Sequence, residues 1–568
     1  MLLGVVSDVC HFALFFAASS DRPAAQSVRP WSLGARRQSG PTVASMDRRH
    51  RLHWPPILVV AASVLLGTVS LIYPFGRDQG IHAYIADSML SGKVVYRDVF
   101  NIKPPLTTVV HALALLLFGH SMTAIRILDL IWTVATALAV FAFASRALRS
   151  RWLGAAAGCL YPLFYFPLGY WHTSQTDGWL NLPVAGTLVL FVIAGEREGR
   201  ASRLLWLASG ICCGLAILLK YTIGALPFLL ALMLLLGRRR DLRRAAAAVA
   251  WLLLGVLVPL VLCALVLLVS GAMRAFVESQ FGLVPAYAIA ATKPGLLARF
   301  EDLVVRVFFR PSLQLPAAAL AAGTLAGALV FLRRPDWRPG LRLWAVWLLA
   351  AFLSTFVQGK FFTYHYLPLL PLAAVAGALL AIVLPARLGR ARVPVGIALA
   401  AVLIPLAGFL PHLDRLVRVT SGKMSVRDYW VSDLHHRADF SLRDDIELAD
   451  HLRQTTQVTD RVFIWGCDPA VLFLAKRGSV TRFLYNLPMI TDYAPQRFRE
   501  EFMRAYVRDP AEVFVVEHDD AMPGVIGSDK DSYAFLQEFP ELLEFVGSEY
   551  HSDTKIGRFD VLRLNERP

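Results

Sequence analysis

A carboxylate stands where the first long apolar segment of the chain ends. The stretch YPFGRDQGIHAYIADSML, residues 73–90, places Arg77 and Asp78 directly after that segment. A second acid, Asp177, occurs in HTSQTDGW at the start of another apolar segment. Two carboxylates beside helix ends can serve as general acid or base if the fold brings them to one face, and each can equally be only a helix cap.

Three lysines interrupt or end apolar runs. Lys103 opens KPPL, Lys220 opens KYT, and Lys360 opens KFFTYHY, which also supplies Tyr364 and His365. A charge at such a position is expensive unless it snorkels to the membrane surface or binds an anion. Snorkelling is the simpler explanation for any one lysine. Three lysines that meet on one face would form a phosphate pocket, because each ammonium acts as a point charge.

The composition indicates a membrane protein. The 568 residues are 56% hydrophobic and 17% charged, which is outside the range of ordinary soluble domains. The formal net charge of +15 lies mainly in short Lys/Arg segments between apolar runs, a pattern that sets topology and does not indicate nucleic-acid binding. Residues 1–45 lack the basic start of a secretory signal and are predicted to be disordered or to precede a true start at Met46.

The apolar runs and basic segments predict about eleven transmembrane helices, with a cytoplasmic N-terminus and an exoplasmic C-terminus. The run 104–119 is too short to span and is predicted to be an interfacial helix. The helix after Asp78 is predicted to lie along the membrane surface, because Ile81, Ile85 and Met89 recur at helical spacing. All the polar motifs then fall on the exoplasmic side. The predicted spans are 55–73, 124–144, 152–168, 179–194, 204–219, 223–236, 245–269, 315–332, 344–357, 366–384 and 395–410.

The last part of the chain has the pattern of a soluble domain. Its segments RVFIW and EVFVVE are typical of buried strands, and LRDDIELADHLRQT is typical of an amphipathic helix. The predicted fold is a polytopic α-helical membrane protein with exoplasmic juxtamembrane helices and a C-terminal soluble α/β domain. The predicted divisions are an extension at 1–45, a transmembrane domain at 46–410, a linker at 411–438 and the α/β domain at 439–568.

Four motifs, in this order, resemble the C-type glycosyltransferases of the protein O-mannosyltransferase and lipid A aminoarabinose transferase kind. They are Asp78 with the following YIADSMLSGKVVYRD, NIKPPLTTVVHALALLLFG with Arg126 downstream, GLAILLKYTIGALP, and GKFFTYHYLPLLPLAAV. The resemblance covers roughly residues 71–380. Such enzymes move a sugar from a polyprenyl phosphate in the outer leaflet to an acceptor hydroxyl, and they invert the anomeric centre.

The resemblance implies a role for each singled-out residue. Asp78 matches the general base, and Asp177 resembles a second acidic position. The residues implied to bind the donor phosphate are Lys103, Lys220 and Lys360, with Tyr364 and His365 beside them. Many relatives have Glu after the first-loop Asp, whereas this chain has Gln79, which puts in doubt any metal or acceptor role of a paired Glu. No metal ligands are assigned, and a divalent metal ion stays open as a cofactor.

The expected function is therefore an inverting glycosyltransferase on the periplasmic side of a bacterial inner membrane. Its expected partners are a polyprenyl-phosphate-linked sugar donor, a lipid, polysaccharide or protein acceptor, and membrane lipids, with no nucleic acid. A transporter or flippase of polyprenyl-linked or anionic lipid is the alternative, because it would also need basic exoplasmic pockets. In a third interpretation, a non-catalytic envelope assembly protein, Asp78 is only a cap.

Overall fold

The computed structural model describes residues 54–237, 241–383 and 392–566. The predicted N-terminal extension at 1–45 and the start at Met46 lie outside these residues. The fold class predicted from sequence is confirmed: a bundle of long apolar helices is followed by a C-terminal region that contains a small sheet.

Eight helices within the described residues are long and apolar enough to cross a membrane. They coincide with eight of the predicted spans, so the count of about eleven is not confirmed. The other three predicted spans also form helices: Arg151–Tyr165 and Tyr221–Gly237, which are shorter, and Arg392–Thr420, which has 29 residues. The eight are Trp54–Ile72, Met122–Ala147, Thr176–Gly195, Gly199–Leu219, Leu242–Val269, Pro311–Arg333, Pro335–Val357 and Thr363–Ala381.

Small residues let these helices approach one another closely. A Cβ added at Gly210 would lie 2.0 Å from the Leu252 carbonyl oxygen, and one at Gly255 would lie 2.1 Å from the Leu207 oxygen. Helices Gly199–Leu219 and Leu242–Val269 therefore touch backbone to backbone. This packing is typical of membrane bundles, where close contact replaces the hydrophobic effect between helices.

Shorter helices connect the long ones. The predicted interfacial segment forms the helix Pro105–Phe118, whose 14 residues cover only about 21 Å and cannot span a bilayer. The other connecting elements are Arg77–Leu90, Met273–Val277, the π-helix Glu278–Leu283, Val284–Ile289, Leu296–Phe308 and the 3₁₀ segment Phe166–Leu168. Four further 3₁₀ segments are the ends of helices given above: Thr68–Ile72, Tyr221–Gly224, Pro335–Trp337 and Thr363–Leu369.

The C-terminal α/β region, residues 436–566, has a four-stranded sheet and a two-stranded hairpin. Strands β3 (Val462–Trp465) and β4 (Val513–Glu517) pair in parallel and are completely buried, as their sequences predict. The sheet order is β3-β4-β6-β5, with β5 at Tyr550–Ile556 and β6 at Phe559–Leu564. The hairpin joins β1 (His436–Arg437) to β2 (Phe440–Ser441). The helices that follow the hairpin are Leu442–Thr455, Ala470–Ala475, Leu487–Ile490, Pro495–Tyr506, Pro523–Ile526, Ser532–Gln537 and Pro540–Glu549.

The helix Arg77–Leu90 forms as predicted, but it is covered on a second side by the C-terminal α/β region. Gly80 lies against Ala470, where an added Cβ would be 2.4 Å from the Ala470 Cβ. The Tyr84 hydroxyl accepts a 2.8 Å hydrogen bond from the Ser479 backbone N–H. Nine of its fourteen residues are buried. The α/β region is thus a second protein layer on this helix, which amphipathic spacing could not show, and the position of the helix along the membrane surface stays a prediction.

Candidate functional site

Asp78 lies in the first turn of the helix Arg77–Leu90, and it is not the cap of that helix. Gly76 is the N-cap residue, and its backbone N–H donates to Gln79 Oε1 at 3.0 Å. Asp78 is partly buried and forms no ion pair with any described residue. Its carboxylate is close enough to act electrostatically on Lys220, Tyr287 and Tyr364. Asp78 is thus a carboxylate without an ion-pair partner among the described residues, within hydrogen-bonding reach of Tyr364 and close to residues from two other segments.

The Gln79 amide holds the loop that directly precedes Asp177. Its Nε2 lies within hydrogen-bond distance of three backbone oxygens, those of Tyr170, Trp171 and Thr173, at 2.7 to 3.3 Å. A glutamate here would face those three oxygens with a negative charge. Gln79 therefore stabilises the loop 169–176 by donating hydrogen bonds to its carbonyl oxygens.

Arg126, the arginine downstream of the second motif, also binds the loop 169–176. Its guanidinium is fully buried and donates to Ser174 Oγ at 2.8 Å and to the Tyr170 oxygen at 2.9 Å. It also donates to the Pro74 carbonyl, just before the helix of Asp78. Arg126 and Gln79 together fix the position of the two predicted acids relative to each other.

Asp177 is engaged by two other side chains. Its Oδ2 accepts a 2.8 Å hydrogen bond from Lys220 Nζ, and its Oδ1 accepts one of 3.2 Å from Gln358 Nε2. Both members of the ion pair are buried, with side-chain exposures of 1% for Asp177 and 13% for Lys220. Burial lowers the pKa of Lys220, while Asp177 and, more weakly, Asp78 raise it. This arrangement joins two of the predicted motifs and holds the Lys220 ammonium in place.

Lys103 and Lys360 approach the same cluster from two other segments. The Lys103 ammonium lies 5.8 Å from the centre of the Tyr364 ring, and that of Lys360 lies 3.5 Å from the centre of the Tyr287 ring. Lys360 also donates to the Val525 backbone oxygen of the C-terminal α/β region. Burial, reinforced by the charge of Lys103, lowers the pKa of Lys360 to about 7. An anion bound here would restore the charge that burial disfavours.

Tyr364 and His365 lie inside this cluster, on the 3₁₀ segment Thr363–Leu369. Their rings pack edge to face with centroids 4.8 Å apart. The Nδ1 atom of His365 is buried and has no hydrogen-bond partner among the described residues. The structure therefore brings together all seven residues that the sequence singled out: Asp78, Lys103, Asp177, Lys220, Lys360, Tyr364 and His365.

Two tyrosines that the sequence analysis missed belong to the same cluster. Tyr287 lies under Lys360, and burial raises its pKa, with Asp78 adding to the effect. Tyr485 comes from the C-terminal α/β region, and burial raises its pKa, with Cys467, Tyr287 and Asp78 contributing. The Tyr485 hydroxyl is buried and has no partner in the described part of the chain. Both look like ordinary core aromatics in the sequence, so no local signal could have found them.

A second missed group lies one turn along the helix of Asp78. His82 has both ring nitrogens buried without a partner among the described residues, and the same is true of His111 Nε2 and Trp179 Nε1. The rings of His82 and His111 are 5.2 Å apart, and those of His111 and Trp179 are 6.0 Å apart. Buried polar atoms normally have partners. These four atoms therefore mark a place where hydrogen-bonding groups of a ligand or water belong.

A buried ionic cluster attaches the C-terminal α/β region beside Asp78. Arg77 contacts Asp439 at 2.9 Å and Asp468 at 3.0 Å. Asp468 also contacts Arg558, which lies 3.2 Å from Glu517 and 3.5 Å from Asp445. Burial, with the neighbouring Asp468, raises the pKa of both Asp445 and Glu517.

The described residues contain no group of three or more His, Cys, Asp or Glu side chains arranged to hold a metal ion. The divalent metal that the sequence left open therefore finds no ligand set in that part of the chain. The positive charges that this cluster offers to an anion are the three lysine ammonium groups.

The helical bundle and the α/β region that covers it have the fold of solved membrane glycosyltransferases. ArnT from Cupriavidus metallidurans bound to undecaprenyl phosphate is similar, with a TM-score of 0.56 and 18% identity over 89% of this chain and 97% of ArnT. Its apo state gives 0.57 and 17%, with the same coverage. An Archaeoglobus fulgidus oligosaccharyltransferase in complex with zinc and sulfate gives 0.50 and 15%, over 81% of this chain and 68% of that one. At these identities the likeness establishes the fold.

Residues 102–268 match the family described as dolichyl-phosphate-mannose-protein mannosyltransferase. This segment contains Lys103, Asp177 and Lys220. No curated protein matches the chain in a sequence search. The family match and the shared fold confirm the resemblance to the C-type glycosyltransferase family that the four motifs indicated.

Proposed function

We propose that this protein is an inverting glycosyltransferase that moves a sugar from a polyprenyl-phosphate donor to an acceptor hydroxyl. The observation that carries the proposal is the convergence of Asp78, which has no ion-pair partner among the described residues, with three lysines from three separate motifs. The similar ArnT structure is bound to undecaprenyl phosphate, which supports a donor of this kind.

Asp78 acts as the general base in this mechanism. It accepts the proton of the acceptor hydroxyl while that oxygen attacks the anomeric carbon. The bond between that carbon and the phosphate oxygen breaks, and its electron pair leaves with the lipid phosphate. Attack opposite the leaving group inverts the anomeric centre, as in direct-displacement glycosyl transfer.

The lysines stabilise the negative charge that develops on the departing phosphate. Lys103 is the best placed for direct contact, because its ammonium has no hydrogen-bond acceptor among the described residues. Lys220 is held ready by Asp177, and Lys360 by the Val525 oxygen and the Tyr287 ring. Tyr364 and His365 offer further hydrogen-bonding groups within the cluster. Asp177 then serves to position Lys220, and this role replaces direct proton transfer by a second acid.

The polar atoms of His82, His111 and Trp179 bind hydroxyl groups of the transferred sugar. Neutral imidazole can donate from one nitrogen and accept at the other, which suits a sugar hydroxyl. His82 follows Asp78 by four residues and therefore lies on the same face of the helix. This places sugar recognition next to the base.

The site is assigned to the periplasmic side of a bacterial inner membrane. The support is the distribution of basic segments, which predicts a cytoplasmic N-terminus and an exoplasmic C-terminus. A phosphatase fused after Pro568 should be active, and a cytoplasmic reporter at that position should be silent. An active cytoplasmic reporter would reject this assignment.

Transport or flipping of a lipid explains the geometry less well. Transporter sites are typically formed by broken helices near the middle of the membrane. Here Asp78, Lys220 and Lys360 lie at helix ends, next to a covering soluble region.

Mass spectrometry of envelope glycolipids and glycoproteins tests the function, by comparing a deletion strain with its parent. We expect one glycan modification to disappear in the deletion strain and to return with the wild-type gene, but not with an Asp78→Asn gene expressed at the same level. An unchanged glycan profile together with a redistribution of lipid between leaflets would favour the transporter.

A further inference from the structure

A short segment of the C-terminal α/β region, residues 521–531, covers one side of the lysine cluster. It follows β4 and contains the one-turn helix Pro523–Ile526. The Val525 carbonyl in this turn accepts a hydrogen bond from Lys360 Nζ. Lys360 is only 4% exposed, so an anion the size of phosphate cannot reach its ammonium until a covering group moves.

The two ends of this segment are fixed to the core of the α/β region. Asp520, just before it, accepts hydrogen bonds of 2.6 Å from the backbone N–H and the hydroxyl of Ser532, just after it. The Ser532 carbonyl accepts a further one, of 2.7 Å, from Trp465 Nε1 of β3. A surface segment of this length with its ends held together is an Ω-loop. The Ω-loop 521–531 can therefore move without disturbing the sheet.

The middle of the Ω-loop is held less firmly than its ends. Gly527 has a backbone φ of +76°, a left-handed conformation that glycine adopts without strain. Five of the eleven residues are exposed: Pro523, Gly524, Gly527, Asp529 and Lys530. The hydrogen bonds of the turn are local, from the N–H groups of Val525, Ile526 and Gly527 to the carbonyls of Met522 and Pro523.

The other group that covers Lys360 belongs to a more firmly tied segment. This group is the Tyr287 ring, whose centre lies 3.5 Å from the ammonium. In the π-helix just before it, Ser279 and Gln280 both donate hydrogen bonds to the Asn101 carbonyl. Of the two covering groups, the Val525 carbonyl is therefore the one that can withdraw.

A phosphate satisfies Lys360 better than this carbonyl does. The carbonyl is neutral and leaves the lysine charge uncompensated, and burial, reinforced by Lys103, lowers the pKa of Lys360 to about 7. A phosphate forms an ion pair with the ammonium as well as a hydrogen bond. Binding of a phosphate therefore favours withdrawal of the carbonyl.

We propose that the Ω-loop 521–531 is a lid on the donor site, which opens when the donor phosphate replaces the Val525 carbonyl on Lys360. The inference rests on the proposed function, because it takes the donor to be a polyprenyl phosphate. The closed lid keeps the empty site covered, and its opening couples donor entry to a movement of the C-terminal α/β region.

Hydrogen exchange in the purified full-length protein tests the movement directly. The N–H groups of Val525, Ile526 and Gly527 are hydrogen-bonded at 2.8 to 3.0 Å in the closed turn. A single turn is unstable once it leaves its contacts, so we expect saturating undecaprenyl phosphate to speed their exchange by at least about fivefold. Exchange in β4 should stay unchanged.

A variant that strains only the closed lid gives a second measurement. In Gly527→Ala the added methyl group meets no atom closer than 3.5 Å, but a φ of +76° is unfavourable for alanine. An open lid can relax this strain, so affinity for undecaprenyl phosphate should rise by about fivefold. The matched control is Gly422→Ala, with a φ of +73° and no atom within 4 Å, which should bind as the wild type does.

Unchanged exchange in the turn on binding would overturn the lid, and so would equal affinities of Gly527→Ala and the wild type. An equal gain of affinity in Gly422→Ala would also reject it. The exchange measurement uses the wild type, so it stands even if Gly527→Ala does not fold. If the wild type does not bind undecaprenyl phosphate, the donor class of the proposed function is wrong and the lid falls with it, whereas binding with a static loop rejects the lid alone.

Discussion

Lys220 Nζ donates a 2.8 Å hydrogen bond to Asp177 Oδ2, and this buried pair joins two segments that are 43 residues apart in the chain. The pair changes the interpretation of both residues. Asp177 cannot accept a proton from a substrate without releasing Lys220, and Lys220 cannot swing freely to a phosphate. The pair is therefore a support for the site, from which the lysine presents its charge.

Removal of one member should destabilise the protein more than removal of both. Asp177→Ala leaves a buried ammonium without its partner and is expected to lower stability by about 3–5 kcal/mol. The double variant Asp177→Leu with Lys220→Met should recover most of that loss and yet remain inactive. Thermal unfolding in detergent measures the first effect, and restoration of the missing glycan in the deletion strain measures the second. An active double variant would show that neither residue takes part in the reaction.

Gln79 should not tolerate the glutamate found in many relatives. In Gln79→Glu a carboxylate would face the carbonyl oxygens of Tyr170, Trp171 and Thr173, which now bind the amide. We expect a loss of about 1–3 kcal/mol in stability, because three buried acceptors lose their donor. Gln175→Glu is a useful control, since that amide serves only one carbonyl, at 3.0 Å. A stable and more active Gln79→Glu protein would contradict this structural role.

The sequence could predict the site because a buried charge is costly. Lys103, Lys220 and Lys360 stand out where apolar runs end, and the basic segments bring those ends to one side. The lysines and Asp78 do form one cluster in the structure. The two strands β3 and β4 were also predictable, since β3 and the first four residues of β4 are continuous runs of buried apolar residues.

The contacts across the chain could not be predicted in this way. The bond between Arg77 and Asp468 joins residues 391 positions apart, and nothing near Arg77 indicates its partner. Tyr485 joins the site only because the C-terminal α/β region covers the helix Arg77–Leu90. The number of spans was also uncertain from sequence, because runs such as 223–236 are too short to distinguish a spanning helix from a shorter one.

Lys360 should make donor binding dependent on pH near neutrality. Its pKa is lowered to about 7 in the free protein, and a bound phosphate would raise it. Below pH 7 the ammonium is already charged, so Lys360 adds no pH dependence to the affinity for undecaprenyl phosphate. Above pH 7 a proton must be taken up on binding, and affinity should fall by up to about tenfold for each pH unit.

The lipid phosphate also ionises, and the variant Lys360→Met separates the two effects. The substitution removes the lysine but does not change the ionisation of the lipid. We expect the fall above pH 7 to disappear in Lys360→Met, with weaker binding below pH 7. The exposed Lys423→Met serves as the control and should keep the wild-type profile. Identical profiles in all three proteins would leave Lys360 outside the phosphate site.

Tyr485 offers a test of the contribution of the C-terminal α/β region. Its hydroxyl is buried without a partner among the described residues, so Tyr485→Phe should leave stability unchanged or slightly raised. If the hydroxyl contacts a substrate, glycan transfer should fall by about tenfold. Tyr550→Phe is the opposite control: its hydroxyl donates to the Ala511 oxygen at 2.7 Å, so stability should fall while transfer persists. Full activity of Tyr485→Phe would show that this hydroxyl does not contact the substrate.

Asp78→Asn gives the sharpest test of the mechanism, because the structure has removed the main competing explanation. Gly76 and Gln79 provide the N-terminal cap, and Asp78 forms no ion pair among the described residues, so the substitution should not disturb folding. Asparagine has nearly the same size but cannot accept the acceptor's proton. We expect transfer at least roughly a hundredfold slower, with unchanged melting temperature and unchanged affinity for undecaprenyl phosphate. The control is Asp87→Asn on the same helix, whose carboxylate contacts His120 at 3.0 Å and lies two and a half turns away. Near-normal transfer by a folded Asp78→Asn protein would reject Asp78 as the base and leave the lysine cluster as a binding site without a known catalyst.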